Sequence, residues 1–333
     1  MLNNKTVLIT GGTGSFGKQF VKTVLTKYKP KKLIIFSRDE LKQFEMREQF
    51  SEQAYPCLRY FIGDVRDRSR LSRAFSGVDF VVHAAALKQV TTCEYNPIEA
   101  VKTNVMGAAN IIDAAIDCNV SNVIALSTDK AVSPVNLYGA TKLCSDKLFV
   151  SANNYSGADG PKFSVVRYGN VVGSRGSVVP IFIKARESGH LDITDERMTR
   201  FWITVGQSVS FVLQSLFLAR GGEIYVPKLP SMRIVDLAKA IAPHCSLNFI
   251  GVREAEKLHE VMISEEDARY TLDVGDYYLI LPFSKSREME TLMNTGVGEP
   301  CAERFCYSSQ HNDRWLTTND LKQMVSDLSL HAT

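Results

Sequence analysis

Six short apolar runs, at residues 6–10, 32–37, 58–62, 79–83, 122–127 and 163–168, constrain the fold of this chain more than any other feature. Each is rich in β-branched residues and nearly continuous in apolar character. A strand with one wet face alternates polar and apolar residues, whereas a strand covered on both faces does not. Segments of helical period, such as 96–118 and 135–155, fall between the runs. Such alternation predicts an α/β chain with a doubly wound parallel sheet and right-handed crossovers. After about Tyr168 the rhythm weakens. Residues 206–219 and 223–226 are expected to return to the main sheet, and the remainder to form a smaller C-terminal lobe. The expected division is therefore 1–172 with about 206–227 in the main domain, and 173–205 with 228–333 in the lobe. The last fifty residues carry little periodicity.

At 45% hydrophobic and 23% charged residues, the 333-residue chain has globular composition. A net charge of +3 without a clustered basic face gives no reason to expect nucleic acid. The seven cysteines are odd in number and lack a Cys-x-x-Cys pair, and the six histidines are scattered. Free thiols in a reducing cytoplasm are expected, with no metal site. No apolar run approaches the roughly 20 residues of a membrane span, so no membrane partner is expected.

The first strand runs into Gly11, Gly12, Thr13, Gly14, Ser15, Phe16 and Gly17, and a helix is expected from about Ser15. Glycines there make the tight turn and let backbone N–H groups reach a pyrophosphate at the positive helix end. The strand–turn–helix context turns a weak spacing into a dinucleotide cradle and makes the sheet Rossmann-like. The second strand ends in Ser37, Arg38, Asp39 and Glu40. An arginine so early favours the 2′-phosphate of NADP over NAD; in the competing reading Arg38 faces solvent and Asp39 holds the ribose. Asp64 suits either an adenine amino group or the cap of a helix starting near Arg66. Ala84 and Ala85 offer small side chains where a cofactor passes, or tight helix–sheet packing.

The fifth strand leads into Thr128, Asp129 and Lys130, followed by Tyr138 and Lys142 four residues apart on a helix whose first turn suits Pro134. Open parallel sheets bind ligands beyond the carboxyl ends of their strands. A lysine beside a phenol favours phenolate, which suits a base for a hydroxyl proton. The additional acid and amine, Asp129 and Lys130, suit removal of water. Their bland alternative is a cap beside a surface lysine.

With these residues in place, the chain resembles the extended short-chain dehydrogenases/reductases, and within them the configuration-inverting UDP-N-acetylglucosamine 4,6-dehydratases that open pseudaminic acid biosynthesis. The resemblance rests on motifs at 10–17, 37–42, 63–67, 126–130, 137–142, 167–177, 198–202 and 256–260. It implies that Thr128, Asp129, Lys130, Tyr138 and Lys142 are catalytic. It implies cofactor contacts from Lys42, Val65, Lys88, Asn104 and Val171 besides the cradle and the second-strand residues. It also implies that Lys88, Lys130, Asn170, Val178, Thr194, Arg200, Arg253 and Glu256 bind the nucleotide sugar, and that the chain is a homo-oligomer. The chain departs from the pattern at Gln89 and Thr91, where His and Pro are usual. It also has Glu254-Ala255 where Pro-Gly or Glu-Gly often separates Arg253 from Glu256.

The implied reaction oxidises carbon 4 with Tyr138 as base. Lys130 then takes the carbon-5 proton, Asp129 protonates the leaving 6-hydroxyl, and carbon 5 is inverted on reprotonation. Two rivals are a nucleotide-sugar epimerase of the same fold and an NADP-binding regulator without turnover. Neither needs Asp129 and Lys130 beside Tyr138.

Overall fold

The structure, a computed structural model, describes residues 1–174, 177–282 and 286–330. Arg175 and Gly176, within the 167–177 motif, lie outside the described residues. The first half alternates β1 (Thr6–Thr10), α1 (Ser15–Lys27), β2 (Lys32–Ser37), α2 (Glu40–Gln49), β3 (Leu58–Ile62), α3 (Arg68–Phe75) and β4 (Phe80–His83). There follow α4 (Val90–Tyr95), α5 (Pro97–Ala100), α6 (Gly107–Asp117), β5 (Asn122–Thr128), α7 (Leu137–Ala152) and β6 (Lys162–Tyr168). The remaining elements used below are β7 (Asn170–Val171), α8 (Val178–Ala185), β8 (His190–Ile193), β9 (Thr199–Ile203), α9 (Val205–Leu218) and β10 (Ile224–Pro227). After them come β11 (Ser231–Arg233), α10 (Ile234–Ile241), β12 (Ser246–Phe249), β13 (Val261–Ile263), β14 (Thr271–Asp273), β15 (Tyr277–Ile280), β16 (Glu299–Pro300) and β17 (Tyr307–Ser308).

The central sheet has ten strands in the order β16-β14-β15-β10-β6-β5-β4-β1-β2-β3. From β3 to β10 every pairing is parallel. This is the doubly wound order, with its switch point between β1 and β4. All five β1 residues are buried, with Val7, Leu8 and Ile9 fully so. Burial on both faces is why these strands show no alternation in sequence. β10 adds beside β6, as expected for 223–226. Beyond it, β15, β14 and β16 extend the sheet antiparallel, so part of the segment assigned to the smaller lobe lies on the main sheet. Leu279 and Ile280 are nearly buried there. A second apolar cluster includes Phe182, Met198, Trp202, Leu237 and Leu321, drawn from the later elements.

Local differences from the sequence reading have simple causes. Asp67, not Asp64, caps α3 by accepting from the Arg70 N–H. Pro134 lies outside α7, whose cap is Asn136, accepting from the Gly139 N–H at 2.8 Å. The 96–118 segment is helical but not uniform, because residues Val101–Met106 form a π-helical turn between α5 and α6. No helix among the described residues is long and apolar enough to cross a membrane.

Candidate active site

The cleft opens at the carboxyl ends of β1, β4 and β5. Helix α1 begins at Ser15 with Gly14 as its cap. No side chain caps it, and its first turn carries no acid. Its unpaired N–H groups and positive end are therefore available to an anion. A Cβ on Gly17 would come within 2.3 Å of Gly12 backbone, so only glycine lets α1 pack this closely on the turn. Beneath the turn, Thr10 Oγ1 meets His83 Nδ1 at 2.8 Å and accepts from the Ala84 and Ala85 N–H groups. Burial, with help from the Lys142 charge, drives His83 down to about 3 and keeps the imidazole neutral.

Of the residues expected to hold a cofactor, all but Gly12, Glu40, Asp64 and Asn104 line one cleft of about 830 Å³. Glu40 is the exposed first residue of α2 and does not line the cleft. Asp64 is engaged by Arg66, accepting from its backbone N–H at 2.9 Å and its guanidinium at 2.7 Å. Asn104 sits on the π-helical turn with its amide fully used. It donates to Leu87 O and Thr141 Oγ1 and accepts from the Leu87 N–H. It therefore fastens the loop after β4 to α7 rather than facing the cleft. Asp39 caps α2 and pairs with Lys42. Arg38 is half-exposed on the cleft wall, 3.7 Å from Asp64. The uncapped helix end and the glycine contact fit the pyrophosphate of a dinucleotide.

At the end of β5 the wall changes character. Thr128, Lys130, Tyr138 and Lys142 line the same cleft, with Asp129 fully buried behind them. The Lys130 ammonium lies 3.0 Å from Asp129 Oδ1. Helix α7 can approach this turn because residue 139 is glycine; a Cβ there would meet Lys130 O at 2.1 Å. Tyr138, Lys142 and Asp146 follow one another at four-residue intervals on α7, on one face. The expected depression of the phenol is not found. Burial pushes Tyr138 up to about 12, while the Lys130 charge and a Thr128 hydrogen bond only partly oppose it. Lys142 faces Asp146 instead, and burial lowers it. Burial raises Asp129, and Lys130 offsets this incompletely. Burial alone would lower Lys130, but Asp129 and Glu260 overcome it and hold the ammonium.

Glu260 escaped the sequence reading as a site residue, although it ends the 256–260 motif. It is 2% exposed, lines the cleft, and places Oε1 3.1 Å from Lys130 Nζ. Nothing in sequence links positions 130 residues apart; the packing of β13 beside the Asp129–Ala131 turn does so.

Lys88, Asn170, Arg200, Arg253 and Glu256 share the cleft with Lys130. Val178 and Thr194 line an adjoining cavity of about 220 Å³, which shares Asn170, Arg200, Arg253 and Glu256 with the cleft. Asn170 Oδ1, Trp202 Nε1 and Glu256 Oε2 are buried around that cavity without a hydrogen-bond partner among the described residues. Buried polar atoms left open in this way suit a polar ligand. No cluster able to hold a metal ion occurs among the described residues.

Comparison with known proteins agrees with this architecture. The family model described as "Polysaccharide biosynthesis protein" matches residues 7–282. The inverting UDP-N-acetylglucosamine 4,6-dehydratase of Campylobacter jejuni is 54% identical over 332 residues, covering 98% of each chain. The UDP-glucose 4-epimerase of Rickettsia canadensis is 41% identical, covering 99% of this chain and 97% of its own. Among solved structures, Pen from Bacillus thuringiensis superposes with a TM-score of 0.90 at 33% identity, over 99% of both chains. The chain therefore belongs to the polysaccharide biosynthesis protein family, of the extended short-chain dehydrogenase/reductase fold, in the group that includes the inverting UDP-N-acetylglucosamine 4,6-dehydratases.

Proposed function

We propose that this protein is a lyase. It converts UDP-N-acetylglucosamine to a UDP-2-acetamido-2,6-dideoxy-4-hexulose with inversion at carbon 5, using bound NADP. The observation that carries the reading is that Lys130, paired with the buried Asp129, lines the same cleft as Tyr138. When bound, the nicotinamide supplies oxidation at carbon 4 and reduction at carbon 6. Tyr138, as the phenolate that the Lys130 charge and a bound oxidised nicotinamide would favour, takes the proton of the 4-hydroxyl, and Thr128 hydrogen-bonds the oxygen. The ketone so formed acidifies the carbon-5 proton, which Lys130 removes while Asp129 protonates the departing 6-hydroxyl. Burial shifts Asp129 toward its protonated form, which suits it to receive a proton from Lys130 and pass it on. Arg200 and Arg253 suit the diphosphate as planar donors, and Glu256 suits ribose hydroxyls. The product is the kind that opens pseudaminic acid biosynthesis, and a cytoplasmic homo-oligomer is part of the reading.

The test is incubation with UDP-N-acetylglucosamine in deuterated water. Deuterium at carbon 5 with loss of water is expected. An unchanged skeleton epimerised at carbon 4 would favour the epimerase reading that the 41% relatives raise. No reaction would overturn both in favour of a regulator. The choice of NADP rests on Arg38: Arg38→Ala should weaken NADP roughly 10- to 100-fold, as expected for a charged hydrogen bond, and change NAD affinity little. Equal losses for both would return the choice to NAD.

A further inference from the structure

The mechanism above assigns two groups, Asp129 and Lys130, to the elimination, yet a second buried carboxylate meets Lys130 at that point. Lys130 Nζ contacts Asp129 Oδ1 at 3.0 Å and Glu260 Oε1 at 3.1 Å. Glu260 is held rigidly from its backbone: its N–H donates to Ser309 Oγ at 2.9 Å, and its carbonyl accepts from the Ser309 N–H at 2.8 Å. Arg200 Nε stands 3.8 Å from the same Oε1. A carboxylate present only to seal the core would have both oxygens satisfied. Here Glu260 Oε2 and Asp129 Oδ2 are each buried without a partner among the described residues. Of the two carboxylates on Lys130, only Glu260 reaches the cleft wall.

Proton accounting gives this arrangement a purpose. To act as base, the Lys130 ammonium must first pass its proton to Asp129 across their hydrogen bond, leaving an amine and a carboxylic acid. The carbon-5–hydrogen bond then breaks and a nitrogen–hydrogen bond forms. The freed electron pair makes the carbon-5–carbon-6 double bond as the carbon-6–oxygen bond breaks. The Asp129 proton goes to that oxygen, and water leaves. In the interval Lys130 regains its positive charge while Asp129 has not yet recovered its negative one. Burial would raise the Glu260 carboxyl, but Lys130, Arg200 and Lys257 hold it below its ordinary range, which favours the anion whenever Lys130 carries its charge.

We propose that Glu260 is a positioning residue for the elimination, fixing the Lys130 nitrogen and balancing the ammonium that forms as the carbon-5 proton is removed. The inference rests on the dehydratase reading and deepens it. A preorganised charge aimed at charge that develops in the transition state contributes to rate more than to ground-state binding.

The test compares wild type, Glu260→Gln and Glu260→Asp, using UDP-N-acetylglucosamine carrying hydrogen or deuterium at carbon 5. Glu260→Gln should lower kcat roughly 100-fold, the scale of losing one preorganised electrostatic group, with KM for the nucleotide sugar within threefold. Its isotope effect on kcat should rise, because carbon-5 deprotonation becomes slower relative to the other steps. Glu260→Asp should fall between the two. Wild-type kcat in Glu260→Gln, or a fallen kcat with an unchanged isotope effect, would overturn the proposal. Should Glu260→Gln fail to fold, Glu260→Asp decides alone: a carboxylate one methylene short must lower kcat and raise the isotope effect, and wild-type values would overturn the proposal. If the wild-type enzyme itself eliminates no water, the function assigned above fails instead.

Discussion

Around residues 11–17 the cleft wall is backbone and, apart from Phe16, small side chains, with a neutral imidazole beneath it and no acid in the first turn of α1. At the end of β5 the wall is built from Asp129, Lys130, Glu260 and Arg200, three of them almost wholly buried. The first region works by what it leaves out: volume and charge are kept away so that a ligand's phosphates can supply both. The second works by buried charges whose total is near zero and whose placement is fixed by packing. The glycine end should thus be sensitive to added atoms, and the β5 end to changed charge.

The largest expected effect is at Lys130. Lys130→Met should lower product formation by roughly 10³-fold or more, in the range of general-base loss, while calorimetric affinity for UDP-N-acetylglucosamine stays within threefold. Wild-type turnover would break the comparison at its charged end. Next comes Gly17→Ala, a single methyl group at the other end. Its contact with Gly12 backbone should cost about 3 kcal/mol of stability by overpacking, read from denaturant unfolding; a neutral result would show that the turn yields.

The neutrality of the glycine end has its own signature. His83 is driven down to about 3 when folded and returns to its ordinary 6.5 when unfolded. The unfolded chain therefore binds more protons between those values. Stability is fully present above about pH 6.5 and is lost as pH falls toward 3, by about 2 kcal/mol between pH 7 and pH 5. His83→Asn should flatten that slope in denaturant melts taken across the range; an unchanged slope would mean that other groups set it. The smallest expected effect lies at Ala255, whose φ of 63° is in the left-handed region. Ala255→Gly should stabilise by about 1 kcal/mol through relief of that strain, visible as a raised melting temperature. A drop would show that the chain entropy of glycine outweighs the relief.

Much of the glycine end was legible in the sequence, because it follows from local rules. Continuous β-branched runs marked the strands, and Gly14 and Ser15 fell where the helix begins. The β5 end was legible only in part. The identities of Thr128, Asp129, Lys130 and Tyr138 stood out, yet Glu260 arrives from 130 positions away through tertiary packing. The direction of the Tyr138 shift was also hidden, because spacing reports which lysine is near on a helix but not how much water is removed. Asn104 was noticed for a cofactor role, but its amide is committed to Leu87 and Thr141, which only the π-helical turn explains.

Asn136, the residue that starts the helix bearing Tyr138, donates to Ala255 O at 3.0 Å, and Lys257 donates to Val132 O at 2.6 Å. The strap from Arg253 to Lys257 is thereby stitched to the root of the phenol's helix. Binding that orders the strap would thus also order that root, so a shortened sugar phosphate lacking uridine should turn over more slowly even when saturating, and not merely bind less well.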